Sequence, residues 1–187
     1  TVSVTTTDDD VAGFTIAETS GSTGVDESGS TDLFTIVLDT QPSSDVVLSI
    51  TSSDTGEATV ESLIQFTSAN WDTPQNVTVT GVDDGIIDGT QTSTITVTIV
   101  DAITDDDFDA VADQTVSVTT TDDDVAGFTI AETSGSTGVD ESGSTDIFTV
   151  VLNAEPSSNV VLDITSSDTG EATVTSSLTF TSANWDT

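Results

Sequence analysis

The chain has 187 residues, 34 of them Asp or Glu, and no Lys, Arg or His, giving a formal net charge of −34. No side-chain salt bridge can form anywhere in it, and nucleic acid and anionic membranes are excluded as partners because their phosphates would be repelled. With no Cys there are no disulfides, thiolate metal sites or thiol chemistry, while 34% hydrophobic residues in alternating runs exclude a disordered acidic tail.

In chain order the apolar residues alternate with a period of two. Strands are expected over 12–17 (Phe14 and Ile16 inward), 32–39 (Phe34, Ile36, Leu38) and 46–52 (Val46, Leu48, Ile50). A kinked strand over 58–67 buries Val60, Ile64 and Phe66. Further strands follow over 76–82 (Val77, Val79), 92–100 (Ile95, Val97, Ile99) and 115–120 (Val116, Val118). No helical period of useful length appears. Seven strands in this span, broken by regular turn signals, specify an all-β, Ig-like antiparallel β-sandwich with Greek-key topology.

The sandwich is tandemly repeated. Residues 1–73 return at 115–187, identical at 62 of 73 positions. The natural frame makes 11–124 one complete repeat. Residues 1–10 are then the last strand and linker of a preceding repeat, and 125–187 are the N-terminal part of the next, cut short. The chain reads as an excerpt from a longer protein. Differences at Ser49/Asp163 and Gln65/Thr179 fall on outward positions, as the register requires.

In such a sandwich the loops divide between two poles. The pole at which the chain leaves gathers 18–31, 53–57, 83–91 and 121–124. These loops carry Asp26 and Glu27, Asp54 and Glu57, Asp83, Asp84 and Asp88, and then Asp122, Asp123 and Asp124. Carboxylates that converge without basic residues need an external cation. Hard oxygen donors without His or Cys suit Ca2+, which takes roughly six to eight oxygens in flexible geometry. Scattered acids such as Asp32, Asp39 and Glu61 read as a solvated surface. At the opposite pole, 101–114 holds Asp105, Asp106, Asp107 and Asp109 without EF-hand spacing, and a weak cation site and a solvated loop both fit it.

The runs "GVDESGSTDLFTIVL", "VTVTGVDDGIIDGTQTSTITVTIV" and "TVSVTTTDDD" resemble the Calx-beta domain, most closely the Calx-beta-like tandem repeats of giant bacterial RTX-type surface adhesins. The resemblance implies an extracellular or regulatory sandwich that binds Ca2+ at its exit pole. It places the family's ligands on Glu27, with Glu141 as its counterpart in the second copy, on Asp83, Asp84 and Asp88, and on Asp122, Asp123 and Asp124. Asp8, Asp9 and Asp10 are the same closing aspartates in the preceding copy. Two departures imply fewer ions or added waters. The 53–57 region offers only Asp54 and Glu57 in place of an Asp-Tyr pair, and Gln91 stands near where the last acid of its loop is expected.

Other chemistry has little to work with. Trp71, repeated as Trp185, fits a sugar-stacking platform or a lid over the core. Asn76-Val77-Thr78 is a glycosylation sequon, and the Thr runs suit ordinary β-propensity better than an ice-binding face. Without His, Lys, Cys or Tyr, catalysis is left with carboxylates and hydroxyls, and nothing singles out an opposed acid pair. The expected function is therefore a non-enzymatic one, a Ca2+-stabilised extender repeat of a long secreted or cell-surface adhesin. Its partners are neighbouring repeats, Ca2+ and lateral copies, with no nucleic acid and no membrane insertion. The alternatives are a glycan- or ligand-binding adhesion module and a subunit of an extracellular filament or biofilm matrix.

Overall fold

A computed structural model describes residues 1–7 and 9–187. The chain divides into two units, Thr1–Asp84 with Gly89–Asp122, and Gly85–Asp88 with Asp123–Thr187.

The first unit holds nine strands: β1 (Phe14–Glu18), β2 (Thr23–Asp26), β3 (Thr31–Leu38), β4 (Val46–Ser52), β5 (Ala58–Val60), β6 (Leu63–Phe66), β7 (Gln75–Gly81), β8 (Gln91–Ile99) and β9 (Gln114–Thr121). One sheet has the order β1-β3-β7-β5 and the other β2-β9-β8-β4-β6. All pairings within them are antiparallel except β2 with β9. The period-two pattern delivers one face of each sheet to a single core. Phe34 and Ile36 on β3, Val46 and Leu48 on β4, Phe66, Val77 and Val79, Ile95 and Val97, and Val118 are all fully buried. Each such side chain contributes about 1.5–3 kcal/mol relative to exposure. The opposite phase of β8 and β9 is Thr and Ser, so the outer face of the larger sheet carries hydroxyls, and the acids fall in turns and at strand ends.

The structure departs from the sequence expectation at two places. The strand expected over 58–67 is two. β5 pairs with β7 in one sheet and β6 pairs with β4 in the other. Ser62 occupies what would be an inward position of a continuous strand, and the chain crosses between the sheets there, with the Ser62 carbonyl accepting from Ile50 N–H. The second place is β2, which lies inside the expected 18–31 loop. Its sequence, TGVD, has a single large apolar residue, Val25, and its strand form comes from β9 beside it. The chain bends from β1 into β2 through two consecutive left-handed residues, Ser20 (φ 59°) and Gly21 (φ 83°).

In the second unit, β10 (Phe128–Glu132) pairs with β11 (Phe148–Leu152) and β12 (Val160–Asp163) with β13 (Ser177–Phe180), both antiparallel. These repeat the pairings of β1 with β3 and β4 with β6. Val150, Leu152 and Phe180 form a small core, with Trp185 packed against it. No helix among the described residues is long and apolar enough to cross a membrane.

Candidate metal centre

The turn between β2 and β3 sets the first candidate ligand. Asp26 N–H donates to Ser30 Oγ at 2.7 Å, and Ser28 Oγ donates to the Asp26 carboxylate in a short contact. Those serine hydrogen bonds, Ser28 first and then Ser30, hold the Asp26 carboxyl below the usual range. Gly29 closes the turn at φ 87°. Asp26 is thus occupied in shaping the turn, and the next residue, Glu27, is the one directed inward. It is 1% exposed, and its N–H donates to the Thr121 carbonyl at the end of β9.

That backbone bond brings Glu27 to the segment leaving β9. Glu27, Asp122 and Asp124 each present a carboxylate oxygen, and the three atoms lie within 4.8 Å of one another. Asp122 and Asp124 are half-buried, whereas Asp123 between them is exposed. The alternation is that of extended backbone, in which successive side chains point to opposite sides. Asp122 Oδ2 also accepts from Gly89 N–H at 2.7 Å, which ties the exit segment to the end of the β7–β8 connection. Two unit charges 4.8 Å apart repel by about 3 kcal/mol at an effective dielectric of about 20, and the chain has no basic side chain to offset this. Three hard oxygens around one point, one of them buried, fit Ca2+, with backbone carbonyls and water available to complete its shell. Glu27, Asp122 and Asp124 are the residues that would hold it.

The other expected ligands stand elsewhere. Asp83, Asp84 and Asp88 are exposed on the β7–β8 connection and lie outside the group of three. Asp9 and Asp10 are exposed, and Asp8 lies outside the described residues. Glu141 sits in a turn built like that around Glu27. Asp140 N–H donates to Ser144 Oγ at 2.7 Å, Ser142 lowers the Asp140 carboxyl pKa, and Gly143 has φ 89°. The Glu141 side chain is nevertheless exposed.

At the opposite pole, Asp105 has a structural task. It is 3% exposed, and its Oδ2 accepts from Ser43 N–H (2.7 Å), Ser43 Oγ (2.8 Å) and Ser44 N–H (2.7 Å), while Oδ1 accepts from Asp107 N–H (3.1 Å). The neighbouring Thr104 hydroxyl bonds both backbone groups of Val47, which is buried although it lies out of phase with the β4 core residues. Asp105 therefore clasps the β3–β4 loop to the segment after β8. The sequence carried a signal for this, a Ser pair at 43–44 facing an acid-rich loop, but no local spacing links residues 62 positions apart. Asp109 shows the contrary effect. Burial first, then Asp101, Asp106 and Asp105, push its carboxyl up.

The clasp makes a pH prediction. The hydrogen bonds, the Ser43 side chain foremost, hold the Asp105 carboxyl down at about 2, below its ordinary 3.8. A carboxyl depressed by folding contributes stability that is complete above its unfolded pKa and is lost as pH falls through the folded value. Asp105 stabilisation is therefore full above about pH 4 and fades toward pH 2. Asp105→Asn should be less stable at neutral pH and should flatten the stability change between those limits, read from urea midpoints at several pH values. An unchanged pH profile would assign the acid sensitivity to other carboxylates.

Trp71 is partly buried against the first unit's core, and its carbonyl accepts from Leu38 N–H at 3.1 Å. Its ring belongs to the packing of that end of the sandwich.

No protein-family model matches the chain, and no curated protein matches it. Among solved structures it is similar to CBD12 from CALX1.2, at 12% identity over 78% of this chain and 76% of that one, with a TM-score of 0.43. It is also similar to the Escherichia coli chaperone DraB, at 9% identity over 81% of this chain and 91% of that one, with a TM-score of 0.44. A third similar structure is SSP-19, an MSP-domain-like protein of Caenorhabditis elegans, at 18% identity over 54% of this chain and 92% of that one, with a TM-score of 0.36.

Proposed function

We propose that the chain is part of a Ca2+-stabilised spacer, in which near-identical sandwiches follow one another along a secreted or cell-surface adhesin. The observation that carries the reading is the meeting of Glu27, Asp122 and Asp124 in a protein with no basic side chain. The cation serves structure in this reading. It secures the strand by which the chain leaves one sandwich, just before the next strand begins at Phe128. The role is mechanical and non-enzymatic, and near-identical tandem copies suit reach or avidity.

Small-angle scattering on a protein of two complete repeats, 11–124 in duplicate, tests this. With Ca2+ the maximum dimension should be large and well defined. Chelation should shorten or broaden it, and Asp122→Asn with Asp124→Asn should do the same while each sandwich remains folded. A profile indifferent to both treatments overturns the spacer reading.

A further inference from the structure

Only two aspartates in the chain are followed by glycine, Asp84 and Asp88, and no asparagine is. Both stand in the connection between β7 and β8, in the stretch GVDDGIIDGTQ. An Asp-Gly step is where a polypeptide most readily attacks itself. The glycine nitrogen closes on the aspartate Cγ because no Cβ stands beside it and the backbone turns easily. Asp84, Asp88 and Gly89 are exposed and Gly85 is half-buried. Neither aspartate belongs to the group of Glu27, Asp122 and Asp124.

The two steps are the same chemically but are held differently. Gly89 N–H donates to Asp122 Oδ2 at 2.7 Å. Ring closure needs that nitrogen to give up its proton and turn toward Asp88 Cγ. The bond opposes both events. It is a charge-assisted bond, and loss of the proton would leave an amide anion facing a carboxylate. Among the described residues, Gly85 N–H meets no acceptor. Its nitrogen carries no such restraint.

We propose that Asp84–Gly85 is a site of spontaneous conversion to isoaspartate, and that Asp122 protects Asp88–Gly89 from the same fate. The Gly85 nitrogen forms a bond to Asp84 Cγ. A carboxylate oxygen leaves as water, taking the nitrogen's proton and one proton from solvent, and a five-membered imide results. Water then opens the ring and the solvent proton returns. Attack at Cγ restores aspartate. Attack at the main-chain carbonyl carbon gives isoaspartate, in which the chain runs through the former side chain. Atoms balance without oxidant, reductant or co-reactant. The net charge is kept, but the β7–β8 connection gains one main-chain carbon and its carboxylate moves to the α-carbon.

One extension rests on the calcium reading above. A cation among Glu27, Asp122 and Asp124 holds Asp122 in place against Gly89. In chelator the three carboxylates repel, Asp122 releases the Gly89 nitrogen, and Asp88 converts faster.

Ageing the full chain for several weeks at physiological pH and temperature, in Ca2+ and in chelator, tests the proposal. Isoaspartate is located by digestion with an endoprotease that cuts before Asp but not before isoaspartate, and by mass spectrometry with electron-transfer fragmentation. In Ca2+ it should build up several-fold faster at 84 than at 88. Asp84→Glu keeps the carboxylate but would need a larger ring, so it should end conversion at 84. Asp122→Ala should raise the rate at 88 to that at 84. The free peptide GVDDGIIDGTQ, in which neither nitrogen is held, should convert at similar rates at both steps. Conversion in the full chain in Ca2+ that is no faster at 84 than at 88 overturns the proposal. A peptide with the same bias as the folded chain, or an Asp122→Ala variant still slow at 88, overturns the protective role of Asp122. A rate at 88 equal in Ca2+ and in chelator, with 84 still faster, supports the assignment of the two steps and overturns only the coupling to the metal.

Discussion

In millimolar Ca2+ the sandwich of β1–β9 is expected to melt about 10 °C above its chelated form. The expectation follows from the charge around Glu27. Folding places three carboxylates within 4.8 Å of one another in a chain with no basic side chain, so without a cation the native state carries repulsion that unfolding relieves. A ligand bound only by the native state adds RT ln(1 + [L]/Kd), about 2.7 kcal/mol at a hundredfold excess over Kd. For a domain of this size, each kcal/mol moves Tm by several degrees. Glu27→Gln removes one of the three charges and leaves a weaker, neutral amide oxygen in place of the buried carboxylate. It should raise Tm in chelator, lower it in Ca2+, and so collapse the difference. The opposite signs separate a metal ligand from a residue that merely packs. Scanning calorimetry on the full chain and the variant reads both, and coincident wild-type curves with and without Ca2+ would sink the metal assignment.

Gly81→Ala is expected to destabilise the first unit by about 3 kcal/mol, at the upper end of the usual cost of overpacking. Gly81 ends β7 opposite Ala58 on β5, and its N–H donates to the Ser30 carbonyl at 3.0 Å. The β2–β3 turn passes directly over it. A Cβ at this position would lie inside the van der Waals contact of the Asp26 carbonyl oxygen, 2.9 Å from the Asp26 carbonyl carbon and 3.3 Å from Val25 Cγ2. The first two neighbours are backbone atoms, which cannot rotate away as a side-chain tip can. Relief must come from lifting the turn, and the turn holds Glu27. The variant should therefore lose urea stability and Ca2+ response together. Gly24→Ala is a useful control. There the nearest atom to a Cβ is the Thr119 carbonyl oxygen at 3.7 Å, an ordinary contact, so the change should be mild. Equal stability of the two variants would contradict this account of the turn.

The sandwich was legible because its strands alternate strongly. Phe34, Ile36 and Leu38, or Ile95, Val97 and Ile99, name their inward phase without help. β2 was hidden for the converse reason. Thr-Gly-Val-Asp has too little local pattern to announce a strand, and the parallel partner that makes it one lies 95 positions away at Val118. The candidate centre was legible as a pole rich in acids, because loop assignment follows from strand direction. Which acids converge was not. Period two sorts Asp122 and Asp124 from Asp123 only once the backbone is known to stay extended past Thr121, and Glu27, which the resemblance named, is set apart from Asp26 because serine hydroxyls engage the latter. Composition could not distinguish the Asp105 carboxylate, whose charge is held by backbone and hydroxyl donors, from one that needs a cation.

The parallel pairing of β2 with β9 has a consequence under load. Tension applied between the chain leading into β1 and the chain leaving β9 pulls these two neighbours in opposite directions along their length. The four register pairs from Thr23–Val118 to Asp26–Thr121 then resist as a group in shear, whereas a hairpin pulled from its open end peels one bond at a time. Glu27 N–H to Thr121 O adds one more bond at the far end of the same row. The strand least visible in the sequence is thus the one whose bonds would be loaded together, in shear, by such a pull.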